Sequence, residues 1–139
     1  MAAAGLKPKA SLACPCGLGS DYAQCCALLH LGANAPHPEA LMRARYSAYA
    51  MKNSAYVLRT WLPQTCPAEP VIDTAITWLD LQIISAQPPA NNSDTAFVEF
   101  VARYRIGGAS ARRMQERSQF VRIDGNWLYW DGVVRDGLG

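Results

Sequence analysis

The chain has 139 residues, of which 50% are hydrophobic and 17% are charged. This composition predicts a folded globular protein rather than a disordered chain, and the length suits one domain with a small additional module. A formal net charge of +2 is too small to favour nucleic acid as a partner. No apolar run approaches the roughly 20 residues of a membrane-spanning helix, so we expect no membrane association.

The first residues carry no sign of a secretion signal. The segment from Met1 to Gly5 is too short for the apolar core of a signal peptide, and Lys7 and Lys9 follow it. We therefore expect residues 1–11 to be frayed and the protein to be soluble and cytoplasmic.

A cysteine-rich stretch, CPCGLGSDYAQCCALLH, runs from Cys14 to His30 and holds four of the five cysteines of the chain. Zinc binds four thiolates in a tetrahedron, and two pairs of cysteines at the two ends of a loop can supply them. The pairs are closer in sequence than most zinc-binding pairs, but Gly17 and Gly19 allow the tight turn that such spacing needs. The pattern predicts zinc ligands at Cys14, Cys16, Cys25 and Cys26.

Other states of these thiols fit the pattern less well. Five cysteines are an odd number for a disulfide framework, and the neighbours Cys25 and Cys26 could bridge only with strain. The spacing matches neither common iron–sulfur pattern, and the stretch lacks the Cys-x-x-Cys of redox pairs. His30 remains an alternative fourth ligand, because Cys26-x-x-x-His30 is also a plausible zinc spacing.

The stretch CPCGLGSDYAQCC resembles the SEC-C motif, a small zinc module found at the C-terminus of the preprotein translocase ATPase and in many other proteins. That motif reads Cys-Pro-Cys-Gly-x-Gly, then a short polar stretch with Tyr, then Cys followed by Cys or His. The resemblance implies that the same four cysteines hold structural Zn²⁺ within a module of residues 12–31. In the translocase the similar module contacts other proteins, which implies a protein partner here for exposed residues such as Leu18, Asp21, Tyr22 and Gln24.

Helices are predicted after a linker of residues 32–38. Pro38 suits the first position of a helix that continues to about Met51. A second helix is expected over residues 54–62, with Leu58, Trp61 and Leu62 on its buried face. We expect a loop over residues 65–70 and a short helix over residues 71–77.

Four strands are predicted in the second half of the chain, where the hydrophobic period changes to two. They cover residues 78–87, 95–106, 112–123 and 126–134, with a turn at residues 87–93 and a hairpin at Asp124 and Gly125. Strands that follow one another with short turns form an antiparallel meander. The fold class is therefore α+β, with the helices packed on one face of the sheet.

Polar residues among aromatic ones mark a candidate ligand pocket. On the second strand, Val98 and Phe100 lie on the more uniformly apolar face, which is expected to join the core, whereas Glu99 and Arg103 lie on the other face. Glu116 shares a face with Ser118 and Phe120, and Asp131 is expected on the face of Trp127 and Tyr129. The pocket candidates, which include residues of the first long helix, are Arg45, Tyr46, Tyr49, Glu99, Arg103, Glu116 and Asp131. The simpler interpretations are solvated faces and an internal pair between Glu99 and Arg103.

Several separated stretches together resemble the YchJ-like family of uncharacterised bacterial proteins. They are LMRARYSAYAMKN, YVLRTWLP, WLDLQI, FVEFVARYR, ERSQFVR and GNWLYWDG, in this order. The family joins SEC-C modules to a cone-shaped, nuclear transport factor 2-like domain, which here would cover residues 37–135. The resemblance implies a curved sheet of about four strands wrapped round helices, with a cavity between them, and it implies no settled activity.

These observations support two functions. The first is a zinc-binding interaction or adapter protein, in which the module contacts another protein. The alternative is a small-molecule binder or an enzyme that uses the cavity, with its catalytic residues unassigned. An exposed sheet could also pair two copies of the chain in a homodimer. Cys66 is interpreted as a lone thiol outside these sites.

Overall fold

The computed structural model describes residues 12–87 and 93–137, with the side chains of residues 136 and 137 excepted. The fraying expected for residues 1–11 lies outside the described residues, as does most of the turn predicted at residues 87–93. No helix in the described part of the chain is long and apolar enough to cross a membrane.

In the described part of the chain, three α-helices precede a four-stranded sheet, which confirms the α+β class. A 3-10 turn, Tyr22–Gln24, leads into α1, Cys26–His30. The other helices are α2, Pro38–Ala50, and α3, Ser54–Arg59. The strands are β1, Ile76–Ser85; β2, Thr95–Ile106; β3, Arg112–Ile123; and β4, Asn126–Gly137.

Helix α2 is the central helix of the fold and begins at Pro38, as predicted. The ring nitrogen Nδ1 of His37 accepts a hydrogen bond from the backbone N–H of Ala40 at 3.2 Å, which caps the first turn. Leu41, Ala44 and Ala48 are buried in the core. The helix packs against α1 on one side and against the sheet on the other, so it links the cysteine-rich segment to the sheet.

Helix α3 is shorter than the predicted helix over residues 54–62, because the chain leaves the helix to meet β4. Its last residue is Arg59, and Trp61 forms a parallel bridge with Tyr129. The backbone N–H of Leu62 donates to the carbonyl of Tyr129 at 2.8 Å. Leu58 is 44% exposed, so its predicted place on the buried face is wrong, and Tyr56 lies there instead.

The prediction of a short helix over residues 71–77 is also wrong. Asp73 forms a turn in which its side chain accepts from the N–H of Ala75 and its carbonyl accepts from the N–H of Ile76. This turn starts β1 at Ile76, two residues earlier than the predicted strand.

The strands form an antiparallel meander in the order β1-β2-β3-β4, as predicted. The hairpin between β3 and β4 turns at Asp124 and Gly125, which have φ values of 51° and 83°. Two successive positive φ values are typical of the tight turns that match strand twist. The core face of β2 carries Val98 and Phe100, both buried, which confirms the predicted face.

A bulge in β4 overturns the predicted position of Asp131. Gln119 pairs with Asp131 and Phe120 pairs with Tyr129, so Trp130 is an extra residue. The bulge reverses the alternation of side chains along the strand. Asp131 is therefore exposed rather than on the face of Tyr129, and Gly132 opposes the buried residue Ser118.

Candidate metal centre and candidate cavity

Four cysteine sulfurs converge at the N-terminal end of the described chain. The Sγ atoms of Cys14, Cys16, Cys25 and Cys26 all lie within 4.8 Å of one another, and those of Cys16 and Cys25 are 3.6 Å apart. A tetrahedron with zinc–sulfur bonds of about 2.3 Å has sulfurs about 3.8 Å apart. The cluster therefore fits one tetrahedral ion with four thiolate ligands.

The local backbone explains why these cysteines meet. Gly17 and Gly19 have φ values of 86° and 91°, which residues with a side chain rarely adopt. They let the chain reverse, so that the N–H of Cys14 donates to the carbonyl of Ser20 at 2.9 Å. The break between the 3-10 turn and α1 falls at Cys25, which places the two neighbouring thiols at the start of α1.

Two side chains of helix α2 contact the cysteine cluster. Ser47 is buried, and its Oγ lies 3.3 Å from Sγ of Cys26 and 3.5 Å from Sγ of Cys14. Nη1 of Arg43 donates to the carbonyl of Cys16 at 2.8 Å. Hydrogen bonds of this kind orient metal ligands and tune their basicity.

The thiols themselves have unequal affinities for protons. A hydrogen bond with Cys26 lowers the pKa of Cys16 to about 5, whereas burial raises the pKa of Cys25 to about 11. The pKa of Cys26 is also raised, mainly by its hydrogen bond with Cys16. One negative charge among four close sulfurs opposes further thiolates, and a divalent cation at their centre would supply the opposite charge that all four need.

His30 lies outside the cluster and uses both ring nitrogens elsewhere. Its Nε2 is 2.8 Å from the carbonyl of Ala44, and its Nδ1 is 2.6 Å from the hydroxyl of Tyr22. Nε2 therefore carries the proton and donates, while Nδ1 accepts from Tyr22. The alternative that His30 replaces Cys26 as fourth ligand has no support in this geometry.

A cavity of about 240 Å³ lies between α2 and the core face of the sheet. It brings together four of the predicted pocket residues, namely Arg45, Tyr46, Tyr49 and Glu116. The other lining residues are not among the predicted pocket candidates. They are Met42, Trp78, Phe100, Ala102, Met114 and Tyr129. Their apolar character on core faces was visible in the sequence, but a core face does not reveal where packing leaves a space.

The other three pocket candidates lie outside this cavity. Glu99 accepts a hydrogen bond from Nε2 of Gln115 at 2.6 Å on the opposite face of the sheet. Arg103 forms an exposed ion pair with Asp80, with Nε 3.0 Å from Oδ2. The partner of Arg103 is thus Asp80 rather than Glu99, and Asp131 is exposed because of the bulge in β4.

Arg45 is a buried cation with aromatic neighbours. Its Nη1 donates to the carbonyl of Val57 at 2.9 Å and to Oγ1 of Thr60 at 2.8 Å. The guanidinium carbon lies 4.3 Å from the ring centroid of Tyr129 and 4.9 Å from that of Trp61. Such cation–π contacts, together with the hydrogen bonds, offset part of the cost of removing the charge from water.

Glu116 is the buried carboxylate of the cavity. Its Oε2 accepts from the hydroxyl of Tyr129 at 2.7 Å and from Oγ of Ser118 at 2.8 Å. Burial, reinforced by the nearby charge of Glu116, raises the pKa of Tyr129, so this hydroxyl remains a donor. A side chain at Gly132 would overlap the carboxylate, so a residue without Cβ makes room for Glu116.

Comparisons with known proteins agree with this architecture. The family described as "YchJ, middle NTF2-like domain" matches residues 37–132. A UPF0225 protein of Xanthomonas campestris pv. campestris is 55% identical over 120 residues, covering 85% of this chain and 92% of the relative. A UPF0225 protein of Deinococcus radiodurans is 44% identical over 121 residues, covering 86% of this chain and 88% of the relative.

A solved structure is similar over most of the chain. It is the solution structure of a SEC-C motif containing protein from Rhodopseudomonas palustris, with a TM-score of 0.74 and 34% sequence identity. The similarity covers 88% of this chain and 98% of that protein.

Proposed function

The chain belongs to the YchJ-like family, whose relatives carry the name UPF0225, and from this premise we propose that it is a zinc-binding adapter protein. In this proposal the four cysteines hold one structural zinc ion, and the module around the ion contacts a protein partner. The convergence of four sulfurs within 4.8 Å carries the proposal.

A structural role for the ion follows from the ligand set. Four protein thiolates complete a tetrahedron and leave no position for substrate or water. Cys14, Cys16 and Cys26 are buried in the same core as Leu41 and Ala44 of α2. Residues 12–31 are too few to form a core of their own, so ion binding would supply part of their folding free energy.

Exposed leucines support the contact with a partner. Leu12, Leu18, Leu28 and Leu31 are 67%, 57%, 54% and 85% exposed. Four large apolar side chains are thus exposed within 20 residues, and exposed apolar surface often serves protein contacts. Of the contact residues expected from the sequence, Tyr22 is engaged with His30, so Leu18 is the stronger candidate.

Metal analysis of the purified protein tests the zinc site. Elemental analysis of wild type should give near one zinc per chain, and Cys25→Ser and Cys26→Ser should both lose it. Cys66→Ser is the matched control, because Cys66 lies outside the cluster. Iron in the wild type, or a folded protein without metal, would contradict the structural-zinc proposal.

The adapter role needs a separate test. In cells that express the tagged chain, crosslinking should yield a defined partner that disappears in the double variant Leu18→Ser, Leu31→Ser. Ile123→Ser, which changes an exposed apolar residue at the end of β3, should keep that partner. Equal crosslinking in all three proteins would contradict the adapter role.

A reducing compartment such as the cytoplasm suits a site of free thiols.

A second function is supported by the cavity. Arg45 and Glu116, both buried, line a cavity of about 240 Å³, which has room for a molecule of single-ring size. We therefore also propose that this cavity binds a small-molecule ligand, with no reaction assigned to it.

The homodimer stays a prediction, which light scattering of the purified protein would test.

A further inference from the structure

The cavity contains one cation that keeps unused hydrogen-bonding capacity. Arg45 is 2% exposed, and no carboxylate among the described residues lies within ion-pairing distance of it. The hydrogen bonds that it donates to Val57 and Thr60 both leave from Nη1, and the hydroxyl of Tyr49 lies close to its guanidinium, but a guanidinium has five N–H donors. A ligand in the cavity can therefore offer Arg45 an acceptor.

The cavity also contains one carboxylate with unused capacity. The hydrogen bonds that Glu116 receives from Tyr129 and Ser118 both reach Oε2. An ionised carboxylate has two oxygens and about four acceptor positions. Oε1 of Glu116 can therefore accept a hydrogen bond from a donor group on a ligand.

The two charges determine which ligands the cavity can hold. Arg45 and Glu116 carry opposite charges and both line the same buried space, so the cavity is close to electrically neutral as a whole. A carboxylate ligand near Arg45 would also face Glu116, and an ammonium ligand near Glu116 would also face Arg45. Since a net charge is costly in a mainly apolar interior, an uncharged ligand is favoured over either ion.

The walls and the size favour a single ring. Tyr46 and Tyr49 lie with their ring centroids 6.0 Å and 6.2 Å from that of Trp78, and Phe100 also lines the space. Aromatic side chains favour stacked or edge-to-face contacts with other rings. The volume of about 240 Å³ is below the roughly 300–1,000 Å³ of pockets for drug-sized molecules.

We propose that the cavity binds a small uncharged ring compound whose edge carries an acceptor for Arg45 and a donor for Glu116, which is the chemistry of an aromatic or cyclic amide. This inference rests on the ligand-binding function proposed above and names the class of ligand. The acceptor is the amide oxygen and the donor is the amide N–H.

Three probes of nearly equal shape test the class. Benzamide is neutral with a donor and an acceptor, benzoate is an anion, and benzamidinium is a cation. In protein labelled with ¹³C at the methionine methyl groups, Met42 and Met114 line the cavity and report binding. Met51, which is exposed outside the cavity, serves as the internal control.

Benzamide should bind at least tenfold more tightly than either charged probe, with shifts at Met42 and Met114 and none at Met51. Tighter binding of benzoate or of benzamidinium at the same methyl groups would overturn the amide class while leaving the ligand-binding function intact. Binding of none of the three at millimolar concentration would overturn the ligand-binding function itself.

Two substitutions of the same kind complete the test. Glu116→Gln removes the negative charge of the cavity, so it should raise the affinity for benzoate relative to benzamide at least threefold. Glu99→Gln makes the same change on the opposite face of the sheet and should leave that ratio unchanged. An unchanged ratio in Glu116→Gln would overturn the assignment of Glu116, and the comparison of probes in wild type stands even if this variant folds poorly.

Discussion

Ser47, in the second half of α2, donates a hydrogen bond to the sulfur of Cys26 at 3.3 Å. The serine is buried and belongs to the helix that also supplies Arg45, Tyr46 and Tyr49 to the cavity. The candidate metal centre and the candidate cavity therefore share one helix. Neighbouring residues of this helix contact the cysteines and line the cavity.

Replacing Ser47 by alanine should weaken zinc binding. In the proposed site the hydroxyl would stabilise the Cys26 thiolate, and loss of such an outer partner typically lowers metal affinity by about 10–100-fold. Competition with a chromogenic zinc chelator measures the change. Ser54→Ala, at an exposed position of α3, is the matched control and should keep the affinity of wild type. Equal affinities of all three proteins would contradict a supporting role for Ser47.

Stability should fall in acid because of His30. Burial, reinforced by the nearby charge of Arg59, lowers the pKa of His30 below its ordinary value of 6.5. As pH falls below about 6.5, the unfolded chain takes up a proton at this residue before the folded chain does. The contribution of neutral His30 to the free energy of unfolding is therefore complete above that pH and is lost as pH falls towards the folded pKa.

Urea unfolding at several pH values checks this behaviour. His30→Gln should be less stable than wild type at neutral pH, and the difference between the two proteins should shrink in acid. Because acid would also weaken the binding of a metal ion to the thiolates of both proteins, the difference between them is the informative quantity. An NMR titration that places the pKa of His30 above 6.5 would reverse the expected sign.

Thr60 should contribute to stability through Arg45. Its Oγ1 accepts from Nη1 of Arg45 at 2.8 Å and donates to the carbonyl of Tyr56 at 2.8 Å. Thr60→Val keeps the shape but leaves a buried charged donor with one partner fewer, so we expect a loss of about 1–3 kcal/mol in the free energy of unfolding. Thr74→Val, at an exposed position, should change it little. A loss of similar size in both variants would argue against the buried hydrogen bond as the cause.

Gly132→Ala should be destabilising, by about 1–3 kcal/mol as is usual for overpacking. A Cβ at this position overlaps the carboxylate of Glu116, which Tyr129 and Ser118 hold in place. Gly108→Ala is the control, since a Cβ at Gly108 meets no atom within 4 Å. Thermal unfolding of wild type and of both variants measures the loss of stability.

A double variant separates the clash from any effect on the backbone of β4. If the overlap with Glu116 causes the loss, Gly132→Ala should cost less free energy in the background of Glu116→Ala than in wild type. An equal cost in both backgrounds would place the cause in the strand itself.

The sequence alone determined the parts of this protein that depend on neighbours along the chain. The pattern of four cysteines and two glycines predicted a candidate metal site, because ligands that are close in sequence on a tight turn are also close in space. Pro38 predicted the start of α2, and Asp124 with Gly125 predicted the hairpin. The alternation of apolar residues predicted the four strands and their order, since successive hairpins leave little choice of topology.

Only the tertiary structure decided the features that depend on contacts between distant segments. Helix α3 ends early because Leu62 pairs with Tyr129, and Asp131 faces outward because of one extra residue in β4. The cavity likewise depends on how α2 lies against the sheet, which brings Arg45 near Tyr129. The contact between Glu116 and Gly132 depends on the register of β3 and β4. Local sequence patterns specify turns and faces, whereas strand register and the gap between two packed layers arise from the balance of contacts over the whole fold.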